Sequence, residues 1–209
     1  LHVFIRGEEQ PTNLRIERMK GQGTFIHYLS RENYSKKLDP SFLHQLLSAN
    51  GIQEHAMVIP EGANNVAGQK GCSELAELVP ESTTHFMLAM GTGGTLIGIT
   101  QNLPSSIRVV GIPVGHFGEF ENTAGNITIF NQYAWKGYGK STMALDRFIT
   151  AFSEKHDLPL EHVYTGKLFY AFTQLVKQQV FKKGSRILLV HSGGLQGNRS
   201  LESQQLLFN

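Results

Sequence analysis

The chain has 209 residues, of which 40% are hydrophobic and 17% charged, and its net charge at pH 7 is +2. That length suits one large domain or two small ones, and the apolar share supports a packed core. The weak charge and the lack of Lys/Arg runs interleaved with aromatics argue against nucleic acid, and no apolar segment approaches the ~20 residues that span a bilayer. LHVFIR (1–6) alternates and is rich in β-formers, so it predicts a strand, and residues 1–7 do not read as a signal peptide. Residues 12–21 predict a helix ending at Gly21, and TFIHYL (24–29) a second strand. Asp39-Pro40 supplies an N-cap and a first-turn proline. Phe42, Leu43, Leu46 and Leu47 follow at helical spacing, and Gly51 closes that helix.

AMVIP (56–60) predicts a short apolar strand, and residues 68–79 a helix. HFMLAM (85–90) predicts a strand, TLIGITQNL (95–103) a helix and IRVVGI (107–112) a strand. From Pro113 to Gly139 the pattern loosens into an irregular stretch containing AWKGYGK. Helices are expected over 142–156 and 166–180, and a strand over RILLVH (186–191) that runs into Ser-Gly-Gly. Strands alternate with helices, and several strands are continuous apolar runs. This is the pattern of an open, mostly parallel sheet covered by helices on both faces, a three-layer α/β fold. The single cysteine, Cys72, excludes an internal disulfide and fits a reducing compartment, read here as cytoplasmic. The nine histidines show no HxxxH spacing and there is no CxxC, so no metal site is expected.

Ligands of such sheets sit at the carboxyl ends of the strands. Three strand ends here run into glycines or hydroxyls: Pro60 to Gly62, Gly91 to Thr95, and His191 to Gly194. Gly91-Thr92-Gly93-Gly94-Thr95 between a strand and a helix presents backbone N–H groups at a helix N-terminus, a geometry that binds phosphate. It is neither a GxxxxGK(S/T) loop nor GxGxxG, and no acidic residue follows at the ribose distance. On the loop alone, a phosphate site and a tight turn with no ligand both stay open.

The stretches VIPEGANNVAGQKG (58–71), GTGGT (91–95), GYG (137–139), VYTGK (163–167) and ILLVHSGG (187–194) stand together in one order. In these the chain resembles the fold-type-II pyridoxal-phosphate (PLP) enzymes of tryptophan synthase β-like architecture. Within them it resembles the 1-aminocyclopropane-1-carboxylate (ACC) deaminase and D-cysteine desulfhydrase family, over essentially the whole chain. The resemblance implies two domains, residues 1–50 as the remainder of a smaller one and 51–209 as the larger cofactor-binding one. It implies PLP as cofactor, a small amino acid as substrate and a homodimer, with no nucleic-acid or membrane partner. Gly91, Thr92, Gly93, Gly94 and Thr95 would cradle the phosphate, and Tyr164 and Tyr138 would form the catalytic substrate side. A tyrosine needs a pKa well below its usual ~10 to act as a base, and the competing reading of both is packing.

The family's distinctions fall on two further positions. ACC deaminases carry a glutamate after the VY tyrosine and a leucine in H-x-G-G, where this chain has Thr165 and Ser192. D-cysteine desulfhydrases carry small hydroxyl residues at both. The resemblance therefore assigns Thr165, Ser192 and Gly193 to cofactor binding and favours β-elimination, giving a keto acid and ammonia. ACC deaminase is the alternative, and ordinary strand-end capping is the competing reading of Thr165 and Ser192. His191 reads as a satisfied core histidine. Lys70, Lys140 and Lys167 lack the context of the cofactor-holding lysine, and Glu61 and Asn64 border the site without an assigned role.

Family members hold the cofactor through a lysine in a G-N-K-x-R-K-like segment, followed by an S-x-Q-S-N-like stretch, and neither is present here. The expectation is that both precede Leu1. Two readings of other classes compete: a non-catalytic PLP or metabolite binder, and a generic nucleotide-binding fold.

Overall fold

The computed structural model describes residues 1–9, 13–53, 55–115 and 125–200. Of the elements predicted above, residue 12 of the first helix lies outside these ranges and the irregular stretch after Pro113 lies inside them in part; the helix expected over 166–180 ends at Lys177. The chain divides into two compact units, Leu1–Val58 and Ile59–Asn209.

In the first unit, β1 (His2–Arg6) and β2 (Phe25–Leu29) pair in parallel, with His2 opposite Phe25 and Arg6 opposite Leu29. Helix α1 (Leu14–Gly21) joins them, and the Asn13 side chain caps it by accepting from the backbone N–H of Arg15 and Ile16. Helix α2 (Arg31–Ser35) is capped by Ser30. Helix α3 (Pro40–Ala49) starts as its sequence predicts: Asp39 accepts from Ser41 and Phe42 N–H, and Pro40 occupies the first turn.

The second unit is built on a four-stranded parallel sheet of order β5-β4-β3-β6, with β3 His85–Met90, β4 Arg108–Pro113, β5 Ile127–Ile129 and β6 Ile187–Leu189. Side chains alternate across a strand, so one run of apolar residues can feed two cores. In β3, Phe86, Leu88 and Met90 enter one cluster with Leu96, Ile99 and Val109. Met87 enters the other with Val110, Ile112, Leu145, Leu168 and Leu175. Helix α5 (Gly94–Thr100) supplies the first face; α6 (Met143–His156) and α7 (Thr165–Lys177) supply the second. This is the open parallel sheet covered by helices on both faces that the sequence predicts.

Three local expectations need correction. Residues 56–60 form no strand; Met57, Val58 and Ile59 are 84%, 44% and 61% exposed, and no described strand lies alongside to complete a ladder. The helix expected over 68–79 starts earlier, as α4 (Val66–Ser73), where Asn65 caps it, and tightens to a 3-10 turn over Glu74–Leu78. The loose stretch after Pro113 contains β5 and a 3-10 turn over Asn131–Ala134.

Candidate active site

Strand β3 leads through α5 to β4 on one side and has β6 as its neighbour on the other. The strand order therefore reverses between β3 and β6, and a crevice opens at their carboxyl ends. A cavity of about 360 Å³ lies there, lined by Glu61 and Gly62, by Leu88 to Leu96, by Tyr138 and Tyr164, and by Val190 and Ser192. All three segments singled out in the sequence thus reach one cavity, although the first follows no strand, and both tyrosines join them.

The glycine loop is built to leave donors open. Gly93 sits at φ 86°, a left-handed conformation that side-chain-bearing residues rarely adopt, and it occupies the N-cap of α5 with no side-chain hydrogen bond to that helix end. The first-turn N–H groups of α5 accordingly receive no side-chain cap. The loop is braced from behind. Asn64 donates from Nδ2 to the Thr92 carbonyl (2.9 Å), and Gln69 donates to Asn64 Oδ1 (3.0 Å). Asn64, which the sequence leaves without a role, is the strut of the cradle. The Thr95 hydroxyl lies 3.7 Å from Cys72 Sγ.

Tyr164 precedes α7, and its hydroxyl stands over Gly91: a Cβ there would come within 3.1 Å of Tyr164 Oη. Its ring meets that of Tyr138 edge-on at 5.9 Å. Burial pushes the Tyr164 phenol well above its usual range; the hydrogen bond with Tyr138 and the charges of Glu161 and Glu61 push it the same way. Tyr164 is therefore a neutral phenol, the opposite of the lowered pKa that a tyrosine base requires. Tyr138 is 56% exposed at the cavity mouth.

The two expected hydroxyls part company. Ser192 lines the cavity. Thr165 is fully buried in the first turn of α7, where its Oγ1 accepts from the Glu161 N–H (2.9 Å), and it is not among the lining residues. Gly193 also lies outside the lining; its N–H donates to His191 Nδ1 (3.2 Å). His191 Nε2 lies 2.7 Å from the Pro159 carbonyl, so the histidine is satisfied by backbone as the sequence reading has it.

Glu161 was missed from sequence. Its buried carboxylate accepts from the backbone N–H of Val163 (2.6 Å), Tyr164 (2.5 Å) and Thr165 (2.6 Å). A carboxylate with three N–H donors at a helix start is a strong cap, favoured by the helix dipole. It holds the turn from which Tyr164 projects. The signal available was an acidic residue four before a helix-opening threonine. Among the described residues no group of three or more His, Cys, Asp or Glu side chains could hold a metal, and no helix is long and apolar enough to cross a membrane.

No family model matches the chain. Among curated proteins it is 27% identical to a Pyrococcus horikoshii protein carrying the provisional name 1-aminocyclopropane-1-carboxylate deaminase, over 93% of this chain and 66% of that protein. It is 26% identical to the mitochondrial bifunctional D-cysteine desulfhydrase/1-aminocyclopropane-1-carboxylate deaminase of Arabidopsis thaliana, over 94% of this chain and 57% of that one. The D-cysteine desulfhydrase of Serratia proteamaculans matches at 27% over 71% of this chain and 52% of its own length. The chain thus spans about two thirds or less of the length of these relatives. Among solved structures, an ACC deaminase homologue superposes with a TM-score of 0.70 at 25% identity, covering 93% of this chain and 66% of that one. O-ureido-L-serine synthase, at 14% identity and a TM-score of 0.57, shares the fold. By sequence and by fold together, the chain is similar to the ACC deaminase and D-cysteine desulfhydrase proteins, and its fold is the fold-type-II architecture.

Proposed function

We propose that the protein is a PLP-dependent lyase or deaminase of a small amino acid, and that its reaction is a D-cysteine desulfhydrase-like β-elimination. The observation that carries this reading is the convergence of an uncapped glycine loop, the Tyr138–Tyr164 pair and Ser192 on one cavity at the strand-order reversal. The residues fit the cofactor. The backbone N–H groups of Gly94 and Thr95 and the hydroxyls of Thr92 and Thr95 would hold its phosphate; among the described residues no Lys or Arg lines the cavity. When bound, PLP supplies an electron sink for negative charge at the substrate Cα.

The chain's own groups then set the chemistry. Ser192 would offer a hydroxyl to the ring nitrogen, a partner with no charge. That favours proton removal and loss of a β-substituent over opening a cyclopropane ring, which asks for stronger electron withdrawal. Thr165 serves the start of α7 instead. Tyr164, whose phenol burial holds in its protonated form, would keep its proton on Oη and could give it to a departing thiolate. D-cysteine and water would give pyruvate, ammonia and hydrogen sulfide. ACC deamination is the second reading, because the relatives carry both names. A non-catalytic PLP or metabolite binder is the reading of another class. A cytoplasmic homodimer completes the proposal.

The test is an intact mass after borohydride reduction with PLP, followed by peptide mapping and by turnover assays with D-cysteine and ACC. A pyridoxyl-lysine adduct and sulfide release from D-cysteine are expected. Ammonia from ACC without sulfide from D-cysteine selects the second reading. No adduct and no turnover overturns the enzyme and leaves the binder.

A further inference from the structure

One lysine in the second unit is fully buried without an ion-pair partner at bonding distance. Lys167 has no exposed surface, and its Nζ donates to the carbonyls of Val114 (2.9 Å) and Gly137 (3.0 Å). It also sits 5.4 Å from the centre of the Trp135 ring. These three contacts lie around one loop. Residues 135 to 139 hold Tyr138, and their backbone is unusual: Trp135 at φ 48°, Gly137 at 115° and Gly139 at 66°. A bulky residue in that region persists only where its surroundings over-determine it. Here they do. The Trp135 ring packs on Tyr133 and Tyr170, and Gly137 accepts from both Lys167 and the Lys140 N–H. Val114 in turn is bonded through its N–H to Met90, the residue that ends β3 next to the glycine loop.

We propose that Lys167 is a positioning residue for Tyr138: from the first turn of α7 its ammonium clamps the 135–139 loop to the end of β4, so that the helix start bearing Tyr164 also fixes the tyrosine that meets it. The clamp explains why a lysine is worth burying here. Its two carbonyl partners come from segments 23 residues apart (114 and 137) that no backbone ladder joins. Burial lowers the lysine's pKa, with Glu161 opposing, yet a neutral amine still has N–H donors for two carbonyls. Its importance for turnover rests on the reading of Tyr138 and Tyr164 as the substrate side; the clamp itself does not.

Lys167→Met keeps the stem and removes the donors. On the full chain, tryptic cleavage after the exposed Lys136 and Lys140 should accelerate by about tenfold or more, as a loop released from local protection does. Cleavage after Lys177 and Lys182 should stay near the wild-type rate. Emission from Trp135, the sole tryptophan, should change, and kcat for D-cysteine should fall more than KM rises. Unchanged cleavage at 136 and 140, or equal acceleration everywhere, overturns the clamp. If the variant does not fold, hydrogen exchange on the wild-type protein decides: protection of the 135–140 amides is expected, and exchange at unprotected rates overturns it. If the wild type turns over neither D-cysteine nor ACC while cleavage responds as expected, the clamp stands and the enzyme reading falls.

Discussion

Tyr164 is where the site's chemistry is most sharply set by its surroundings. Water stabilises a phenolate; the half-buried position beside Tyr138 does not, and two carboxylates nearby add repulsion. Each of these favours the protonated form, so the phenol stays neutral past its ordinary value of 10.0. The consequence for catalysis has a definite sign. No limb of the pH–rate profile below about pH 10 should belong to Tyr164, because its proton is in place throughout that range. Tyr164→Phe removes the donor and keeps the ring, so kcat should fall by about 10²–10⁴ with the profile's shape below pH 10 retained. Steady-state rates of both proteins across pH check this. A limb below pH 10 that disappears in the phenylalanine variant would show a phenol that ionises in the working range.

The elements differ in how far their own residues determine them. Strand β3 was legible because five apolar residues in a row, bounded by His85 and a glycine loop, fit a strand buried on both faces. Helix α3 was legible because Asp39 and Pro40 are local signals that need no partner. AMVIP has the composition of a strand, but a strand is completed by a neighbour, and that lies outside the segment. β5 is three residues long, too short for any period to show. The site follows the same division. The glycine loop and the VYTGK and HSGG motifs could be read locally, whereas the Asn64 strut, the Lys167 clamp and the burial of the Thr165 hydroxyl depend on long-range packing. Glu161 is the instructive miss. Caps are sought at the residue just outside the helix, yet Tyr164 holds that position and the capping carboxylate comes from three residues earlier. Glu161→Ala strips three N–H groups of their acceptor inside a buried turn, so α7 should lose about 1.5–3 kcal/mol of stability, the range for bonds to a charged group. Chemical denaturation measures that loss. Because the same turn projects Tyr164, activity should fall even under conditions where the variant is fully folded.

At the scale of the whole molecule, the two units have unequal cores. Among the described residues, Ile16 is the one buried hydrophobic side chain of Leu1–Val58, while Ile59–Asn209 buries two clusters on opposite faces of its sheet. Apolar area removed from water is the main source of stability, so the first unit should open locally at much lower free energy than the second. Cofactor binding acts on this inequality selectively. Every residue lining the cavity belongs to the second unit. A ligand stabilises only the states that hold its site, and at 100 times its Kd PLP should add about 2.7 kcal/mol to the opening of that unit. Hydrogen exchange with and without PLP follows both at once. Added protection should centre on the 91–95 loop, α5 and the start of α7, because these segments either supply donors or carry Tyr164. Amides of residues 1–58 should exchange faster in both conditions and gain little. Equal gains in the two units would mean that the first unit takes part in holding the cofactor, and no gain at 91–95 would remove the phosphate from the glycine loop.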